Sequence, residues 1–278
     1  FAVGLLIGMS TKRLQNTNSI NALESAVSTQ PPSQPNEGTP ASPSDLLVGA
    51  YYYPRHGSNF HNGGGYMRNQ LEPPQMPARG EYDDSKAETI AQHLKWSRQA
   101  NIGLWVTSWW GPNLLEDRNT RDIIMEHEDL GDLKIAIHYK STGRIRDEDM
   151  DTVKSDIEYL CERYFDHPNY YRIEGRPVIY VTRVLEQRGV LAAAVLRMRS
   201  VASKCGYNIY LIGDHVFQDA PDDLSQTYLP FLYFDAVTNY DVYGSMGSPT
   251  YYAGADVVDA YYRKQDAWRT LAIENGCR

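Results

Sequence analysis

The segment GLWVTSWWGP, residues 103–112, decides the fold and indicates a binding site. Its first half is apolar and β-branched, as in a strand buried on both faces, and it ends at a Gly-Pro turn directly after two adjacent tryptophans. Ligand sites in α/β sheets and barrels lie at the carboxyl ends of strands. We therefore predict that Trp105 packs in the core and that Trp109 and Trp110 form an aromatic wall suited to a sugar. Core packing is the alternative for that pair.

Outside this segment, the chain from residue 46 onward alternates between strand and helix patterns. Short, nearly continuous apolar runs predict five further strands, at residues 46–53, 134–138, 177–182, 208–213 and 234–240. Periodic apolar residues predict five helices, at residues 85–100, 121–127, 149–165, 190–205 and 255–275. Asp84 or Ser85 is the expected N-cap of the first helix, with Glu88 as the capping-box partner.

This alternation predicts a parallel sheet covered by helices. No GxGxxG follows the first strand and no GxxxxGKS or GxxxxGKT occurs, which removes the main support for nucleotide-binding doubly wound folds. We therefore predict an α/β fold with a (β/α)8 TIM-type barrel over residues 45–278. Six strands are two fewer than a closed barrel needs. Either two strands are not recognisable in the sequence or the barrel is incomplete; we expect the second, with unpaired sheet edges that lower its solubility.

The first 44 residues differ in composition from the rest. Residues 1–9 (FAVGLLIGM) are apolar and precede Lys12 and Arg13, which is typical of the remnant of a signal or anchor segment; a chance apolar start to a disordered tail is the alternative. Residues 10–44 are rich in Ser, Thr, Asn, Gln and Pro, which predicts a disordered stem. This layout is that of a type II membrane protein facing the secretory lumen, although no Asn-x-Ser/Thr acceptor supports that compartment.

Composition excludes some partners and leaves other questions open. The net charge of −8, without a basic run, gives no electrostatic footprint for nucleic acid. Three cysteines without metal-ligand spacing leave the redox compartment undecided. His56 and His61 flank a Gly-rich loop but have no carboxylate at ligand spacing, so we predict a mobile loop there, with no metal and no cofactor.

Polar and aromatic residues close each predicted strand and would meet at one rim of a barrel. Each also has a structural explanation: His138 as a hydrogen-bonded histidine, Asp214 as a cap, and Asp235 as an acceptor for backbone amides. Taken together they predict a carbohydrate site whose substrate-binding residues are Tyr52, Tyr53, Trp109, Trp110, His138, Asp214 and Tyr240. Glycoside cleavage generally needs two carboxyl groups, and Asp214 and Asp241 are the acids at the strand ends.

Several motifs, read in order, resemble glycoside hydrolase family 99, which contains the endo-α-1,2-mannosidases. The resemblance covers about residues 48–278 and rests on LVGAYYYPRHG, RGEYDDS, ANIGLWVTSWWGP, LKIAIHYKSTGRI, YFDHPNYYRIEGRPVIYV and FDAVTNYDVYG. It implies a (β/α)8 barrel that cleaves within α-mannosides with retention. In animals it implies a Golgi type II enzyme with a lumenal domain that trims glucosylated mannose from N-glycans.

The chain departs from this family in three places. The family's paired catalytic glutamates lie in an Asn-Glu-Trp-His-Glu-Gly stretch, which does not occur in these 278 residues, so we expect the catalytic pair beyond Arg278 and this fragment to be inactive. The family places a Glu two residues after the third-strand histidine, whereas this chain has Lys140. Arg55 and His56 stand where an aromatic pair is expected. A non-catalytic glycan-binding barrel, or a barrel acting in glycan or polysaccharide assembly, is therefore the alternative to a hydrolase.

Overall fold

A computed structural model describes residues 47–57, 79–146, 150–182, 189–214, 233–238, 255–274, 276 and 277. The chain divides into two units, Phe1–Ser44 and Asp45–Arg278, and every described residue belongs to the second. The predicted anchor remnant and stem lie outside the described residues.

The second unit alternates between strands and helices in the predicted order. Its strands are β1 (Val48–Tyr52), β2 (Ile102–Trp109), β3 (Lys134–Tyr139), β4 (Arg172–Ile173), β5 (Arg176–Val181), β6 (Tyr210–Asp214) and β7 (Ala236–Thr238). Its helices are α1 (Ala87–Gln99), α2 (Leu115–Arg118), α3 (Met150–Arg163), α4 (Leu191–Lys204) and α5 (Ala255–Glu274). A π-helical turn, Asn119–Ile124, continues directly from α2.

Six strands form one parallel sheet in the order β1-β2-β3-β5-β6-β7. The two-residue strand β4, which the sequence pattern did not predict, pairs antiparallel with the start of β5. The sheet curls, so that its first and last strands approach each other: the Tyr51 hydroxyl on β1 bonds to the Thr238 side chain on β7. The prediction of an incomplete (β/α)8 barrel is therefore confirmed.

Alternate residues of each strand face two different layers. One layer, between sheet and helices, holds the main core, which includes Trp105, Ile135, Ile137, Ile179 and Leu211 together with the buried faces of α1, α3 and α4. The other faces of the strands line the inside of the curl. Trp105 is 2% exposed, as the sequence predicted for a core residue.

The start of α1 differs from the expected capping box. The helix begins at Ala87, and Lys86 at its N-cap makes no side-chain cap bond. Asp83 instead accepts hydrogen bonds from the backbone amide and hydroxyl of Ser85. The Asp84 carboxylate accepts a hydrogen bond from the backbone N–H of His56, so it does not cap the helix. The predicted cap is wrong because both candidate side chains bind elsewhere. Among the described helices, none combines the length and apolar character needed to cross a membrane.

Candidate functional site

The parallel register aligns the carboxyl ends of the strands at one rim. Ser108 on β2 lies opposite His138 on β3, and Asp214 on β6 lies opposite Thr238 on β7. Side chains alternate along a strand, so Ser108, His138 and Asp214 lie on the inner face of the curl, opposite the face that packs on the helices. This rim is the position predicted for the site from the sequence.

His138 lies at the centre of a buried hydrogen-bond network. Its Nε2 lies 3.2 Å from Asp214 Oδ2, and its Nδ1 lies 3.2 Å from the Lys140 Nζ. Its ring also lies 4.9 Å from the ring of Tyr51. His138 and Asp214 have no exposed surface, and Lys140 is 7% exposed. The structure therefore brings together two predicted site residues, His138 and Asp214, through direct contact.

The environment of His138 decides which nitrogen carries its proton. Burial, and then the positive charge of Lys140, hold the pKa of His138 well below its usual value, so the ring is neutral. An ammonium group can only donate, so Lys140 donates to Nδ1. The proton of the neutral ring is then on Nε2, which donates to Asp214. Burial and the nearby Asp214 also raise the pKa of Tyr51, which stays protonated.

Lys140 connects this network to the aromatic residues at the mouth of the curl. Its Nζ donates to the hydroxyl of Tyr53 over 3.0 Å and lies 4.8 Å from the Tyr53 ring centre. The same Nζ is 5.8 Å from the ring centre of Trp110. Trp110 is 37% exposed and is oriented by its Nε1, which donates to Ser108 Oγ over 2.9 Å. Tyr53, Trp110 and Lys140 thus form one surface that combines aromatic faces with hydrogen-bond donors.

Two predicted binding residues face the helices instead. Trp109 is fully buried in the main core, and its Nε1 donates to Asp117 Oδ1 over 2.7 Å. Tyr52 stacks on Trp105 at 4.1 Å, and its hydroxyl bonds to His93 Nδ1 over 2.7 Å. We correct both assignments, because strand alternation directs Tyr52 and Trp109 away from the inner face that their neighbours Tyr53 and Trp110 occupy.

The remaining predicted residues have other positions. Tyr240, Asp241 and His61 lie outside the described residues. Asp235, proposed as an acceptor for backbone amides, binds the Leu211 amide at 2.8 Å and also pairs with Arg176 and Arg199.

Asp117 has a structural role that was not predicted from the sequence. This fully buried carboxylate accepts hydrogen bonds from Trp109, Tyr159, Tyr164, Arg121 and the Asn113 amide. Asn113 and Arg121 lie four residues away on either side, but Tyr159 and Tyr164 lie more than 40 residues away, so local spacing alone does not indicate the full set of partners. The residues around Asp117 are mostly polar, so hydropathy gives no sign that its carboxylate is buried.

A cavity of about 240 Å³ lies inside the curl, below the rim. Its walls combine apolar side chains, among them Leu47, Leu104 and Val106, with the hydroxyl-bearing Tyr51 and Thr238. The ring of Tyr51 also lies beside that of His138, so the cavity adjoins the polar rim. Within the described residues, no group of three or more His, Cys, Asp or Glu side chains is placed to hold a metal ion.

Comparison with known proteins gives consistent results. Residues 47–253 match the model of glycosyl hydrolase family 99. The glycoprotein endo-alpha-1,2-mannosidase of Mus musculus is 26% identical over 199 residues, which cover 65% of this chain and 42% of that protein. The enzyme of the same name from Rattus norvegicus is 23% identical over 141 residues, which cover 47% of this chain and 30% of that protein. The chain thus spans less than half the length of these relatives.

Solved structures resemble the fold. The endo-alpha-mannosidase of Bacteroides thetaiotaomicron superposes with a TM-score of 0.53 at 18% identity, over 81% of this chain and 69% of that one. At this identity the likeness shows that the two chains share a barrel architecture.

Proposed function

Because the chain belongs to glycosyl hydrolase family 99, we propose that it is the substrate-binding part of a glycoside hydrolase that cleaves within α-mannosides with retention. The family match from residue 47 to residue 253 carries this proposal, since it includes all six parallel strands and their carboxyl ends. The names of the curated relatives, endo-alpha-1,2-mannosidases, support an α-1,2-linked mannoside as the substrate.

The surface formed by Tyr53, Trp110 and Lys140 suits such a ligand. The exposed part of the Trp110 ring offers a flat face to the C–H groups of a sugar ring. The Lys140 ammonium and the Tyr53 hydroxyl lie beside it and can bond to sugar hydroxyls. His138 and Asp214 act behind this surface, since their bonds orient Lys140 from within the curl.

We do not assign a catalytic acid among the described residues. Cleavage needs one carboxyl group as proton donor and a second as nucleophile or base. Asp214 has no exposed surface and binds His138, so it is a poor candidate for either role. The Asn-Glu-Trp-His-Glu-Gly motif expected from the family does not occur in these 278 residues, and we propose that they bind glycans without cleaving them.

We also propose that the protein acts in the secretory pathway, anchored as a type II membrane protein with its barrel in the Golgi lumen. The apolar residues 1–9 and the polar stem at 10–44 support this location. The curated relatives are named as acting on glycoproteins, which is consistent with it. Fractionation of cells that express the full-length protein, with protease protection of the barrel, tests both parts.

A non-catalytic glycan-binding barrel is a second candidate function, and Lys140 favours it. The resemblance places a carboxylate at this position, whereas Lys140 puts an ammonium against His138 Nδ1 and the Tyr53 hydroxyl. A charged ammonium group cannot accept a hydrogen bond from a sugar hydroxyl, and it cannot serve as a general base. The two candidates therefore differ in chemistry at one side chain.

Calorimetric titration of the 278-residue chain with an α-1,2-linked manno-oligosaccharide tests the site. Trp110→Ala should weaken binding by about two- to twelvefold, because an aromatic contact of this kind is worth about 0.5–1.5 kcal/mol. Trp96→Ala is the matched control, since Trp96 is 45% exposed on α1, on the helix side of the sheet, and should leave the affinity unchanged. Equal affinities for wild type and Trp110→Ala would exclude this surface.

Assays of the full-length protein distinguish hydrolase from binding protein. Release of a reducing sugar from the same oligosaccharide supports the hydrolase, whereas binding without turnover supports the second candidate. Turnover by the 278-residue chain that Asp214→Asn abolishes would show that the catalytic acid lies at the rim described above.

A further inference from the structure

Two of the three cysteines lie side by side on neighbouring helices. Cys161 is in the last turn of α3 and is 6% exposed, whereas Cys205 follows the last residue of α4 and is exposed. Their side chains lie close enough to interact directly. Both are free thiols in the structure.

The ends of the two helices are held together next to this pair. The ring of Tyr207, two residues after Cys205, packs edge-on against Phe165 at 5.2 Å. The Tyr207 hydroxyl also donates to Asp166 Oδ1 over 2.6 Å. Phe165 and Asp166 lie two and three residues after the end of α3, so these contacts fix the chain after Cys205 against the chain after Cys161. A disulfide needs Cβ atoms about 3.5–4.5 Å apart, and side chains that already touch across packed helices are placed to meet this condition.

We propose that Cys161 and Cys205 form a disulfide that joins the carboxyl-terminal ends of α3 and α4 when the protein meets a low-molecular-weight disulfide such as oxidised glutathione. The Cys205 thiolate attacks one glutathione sulfur, which forms a Cys205–glutathione mixed disulfide and releases one glutathione thiolate. The Cys161 sulfur then loses its proton, attacks Cys205 Sγ and displaces the second glutathione. Two cysteine thiols are thereby oxidised, and one glutathione disulfide is reduced to two thiols.

The order of these steps follows from exposure. Burial raises the pKa of the Cys161 thiol, as does the neighbouring Cys205, so Cys161 is a poor first nucleophile. Cys205 is the thiol that a glutathione molecule can reach. Once the mixed disulfide has formed, Cys161 attacks within the molecule, where contact between the two side chains replaces a bimolecular encounter.

Cys277 is not a partner in this bond. Its side chain is buried beside Trp268 and Ala272, in a different cluster from Cys161, and its Sγ donates to the Phe234 carbonyl over 3.5 Å. It therefore serves as an internal control. The proposal does not depend on glycan binding, so its failure and that of the proposed function are separate results.

Peptide mapping by mass spectrometry, after incubation of the 278-residue chain with oxidised glutathione and alkylation of free thiols, tests the bond. We expect a peptide linked through Cys161 and Cys205, with Cys277 alkylated. In Cys161→Ser, Cys205 should keep one glutathione, since the displacing thiol is missing. Cys277→Ser should form the same link as wild type. A wild-type product that stays glutathionylated at Cys205, or a link to Cys277, would overturn the proposal.

Thermal unfolding tests whether the bond stabilises the two helices. It closes a loop of roughly 40 residues, so the oxidised chain should unfold roughly 5–15 °C above the reduced chain. Cys205→Ser, which alters an exposed side chain, should show no such difference between oxidising and reducing buffer. Equal midpoints for a fully linked and a reduced wild type would contradict this part of the proposal.

Discussion

The same substitution, Trp to Phe, should have different effects at the adjacent positions 109 and 110: a large loss of stability at Trp109, and a small loss of stability with weaker glycan binding at Trp110. Trp109→Phe removes an indole N–H that donates to the fully buried Asp117 carboxylate over 2.7 Å. Hydrogen bonds to charged groups contribute about 1.5–3 kcal/mol, and the smaller ring leaves a void that costs roughly 1 kcal/mol more. We expect Trp109→Phe to lower the free energy of unfolding by about 2.5–4 kcal/mol.

Trp110→Phe should be far milder. Trp110 is 37% exposed, and its indole N–H donates to the neutral hydroxyl of Ser108. Loss of a neutral, partly solvated hydrogen bond costs about 0.5–1.5 kcal/mol. The free energies of unfolding of the two variants should thus differ by about 1–3.5 kcal/mol.

Urea unfolding followed by far-ultraviolet circular dichroism measures both variants without depending on tryptophan fluorescence. The transition midpoint should fall strongly for Trp109→Phe and slightly for Trp110→Phe, at similar slopes. Glycan affinity, measured where both variants are folded, should fall only for Trp110→Phe. If Trp110→Phe is the less stable variant, or if folded Trp109→Phe loses affinity, then the two side chains have been assigned to the wrong layers.

Three further substitutions test the electrostatics of the fold. His138→Asn should reduce the loss of stability as pH falls below about 6.5, measured by urea titrations at several pH values. The unfolded histidine takes up a proton there while the buried one does not, which contributes up to about 1.4 kcal/mol per pH unit. His93, whose pKa burial also lowers, keeps part of the slope in the variant. Lys140→Gln should raise the pKa of His138, observed by NMR titration, because it removes the nearby positive charge; an unchanged pKa would mean that burial alone lowers it. Asp235→Asn should cost about 1.5–3 kcal/mol at pH 7, the usual worth of hydrogen bonds to a charged group. Burial tends to raise the pKa of Asp235, but Arg199 and its other partners outweigh this and lower the pKa, so the cost should shrink as pH falls through the depressed value, and a cost independent of pH would contradict it.

The order and direction of the strands could be predicted from the sequence. Buried parallel strands carry continuous apolar runs, as in β3 and β5, and each run is followed by an amphipathic helix. Their observed ends differ from the predicted ones by one or two residues. Contacts between distant segments could not be predicted in this way. Local sequence rules favour Asp84 as a helix cap. Its carboxylate instead binds His56, a partner about 28 residues away that no local rule identifies.

The rim itself was predicted, but the face of each side chain was not. Trp105 was assigned to the core, and Trp109 lies four residues further along the same strand, so period-two alternation places both on one face. The same rule separates Tyr52 from Tyr53. In a strand buried on both faces, hydropathy does not mark which face is which, and one assigned residue is needed to orient the rest.

Applied to β3, alternation explains why position 140 matters for function. A residue two positions after His138 must share its face, so its side chain enters the site whatever its identity. Lys140 does so, since its Nζ reaches both His138 Nδ1 and the Tyr53 hydroxyl. A glutamate there would instead accept from Tyr53 and would raise, rather than lower, the pKa of His138. Lys140 stands where the resemblance to the family expects Glu, and it therefore reverses the charge of the surface that we propose binds a glycan. We expect a hydrolase and a binding protein built on this barrel to differ at this side chain.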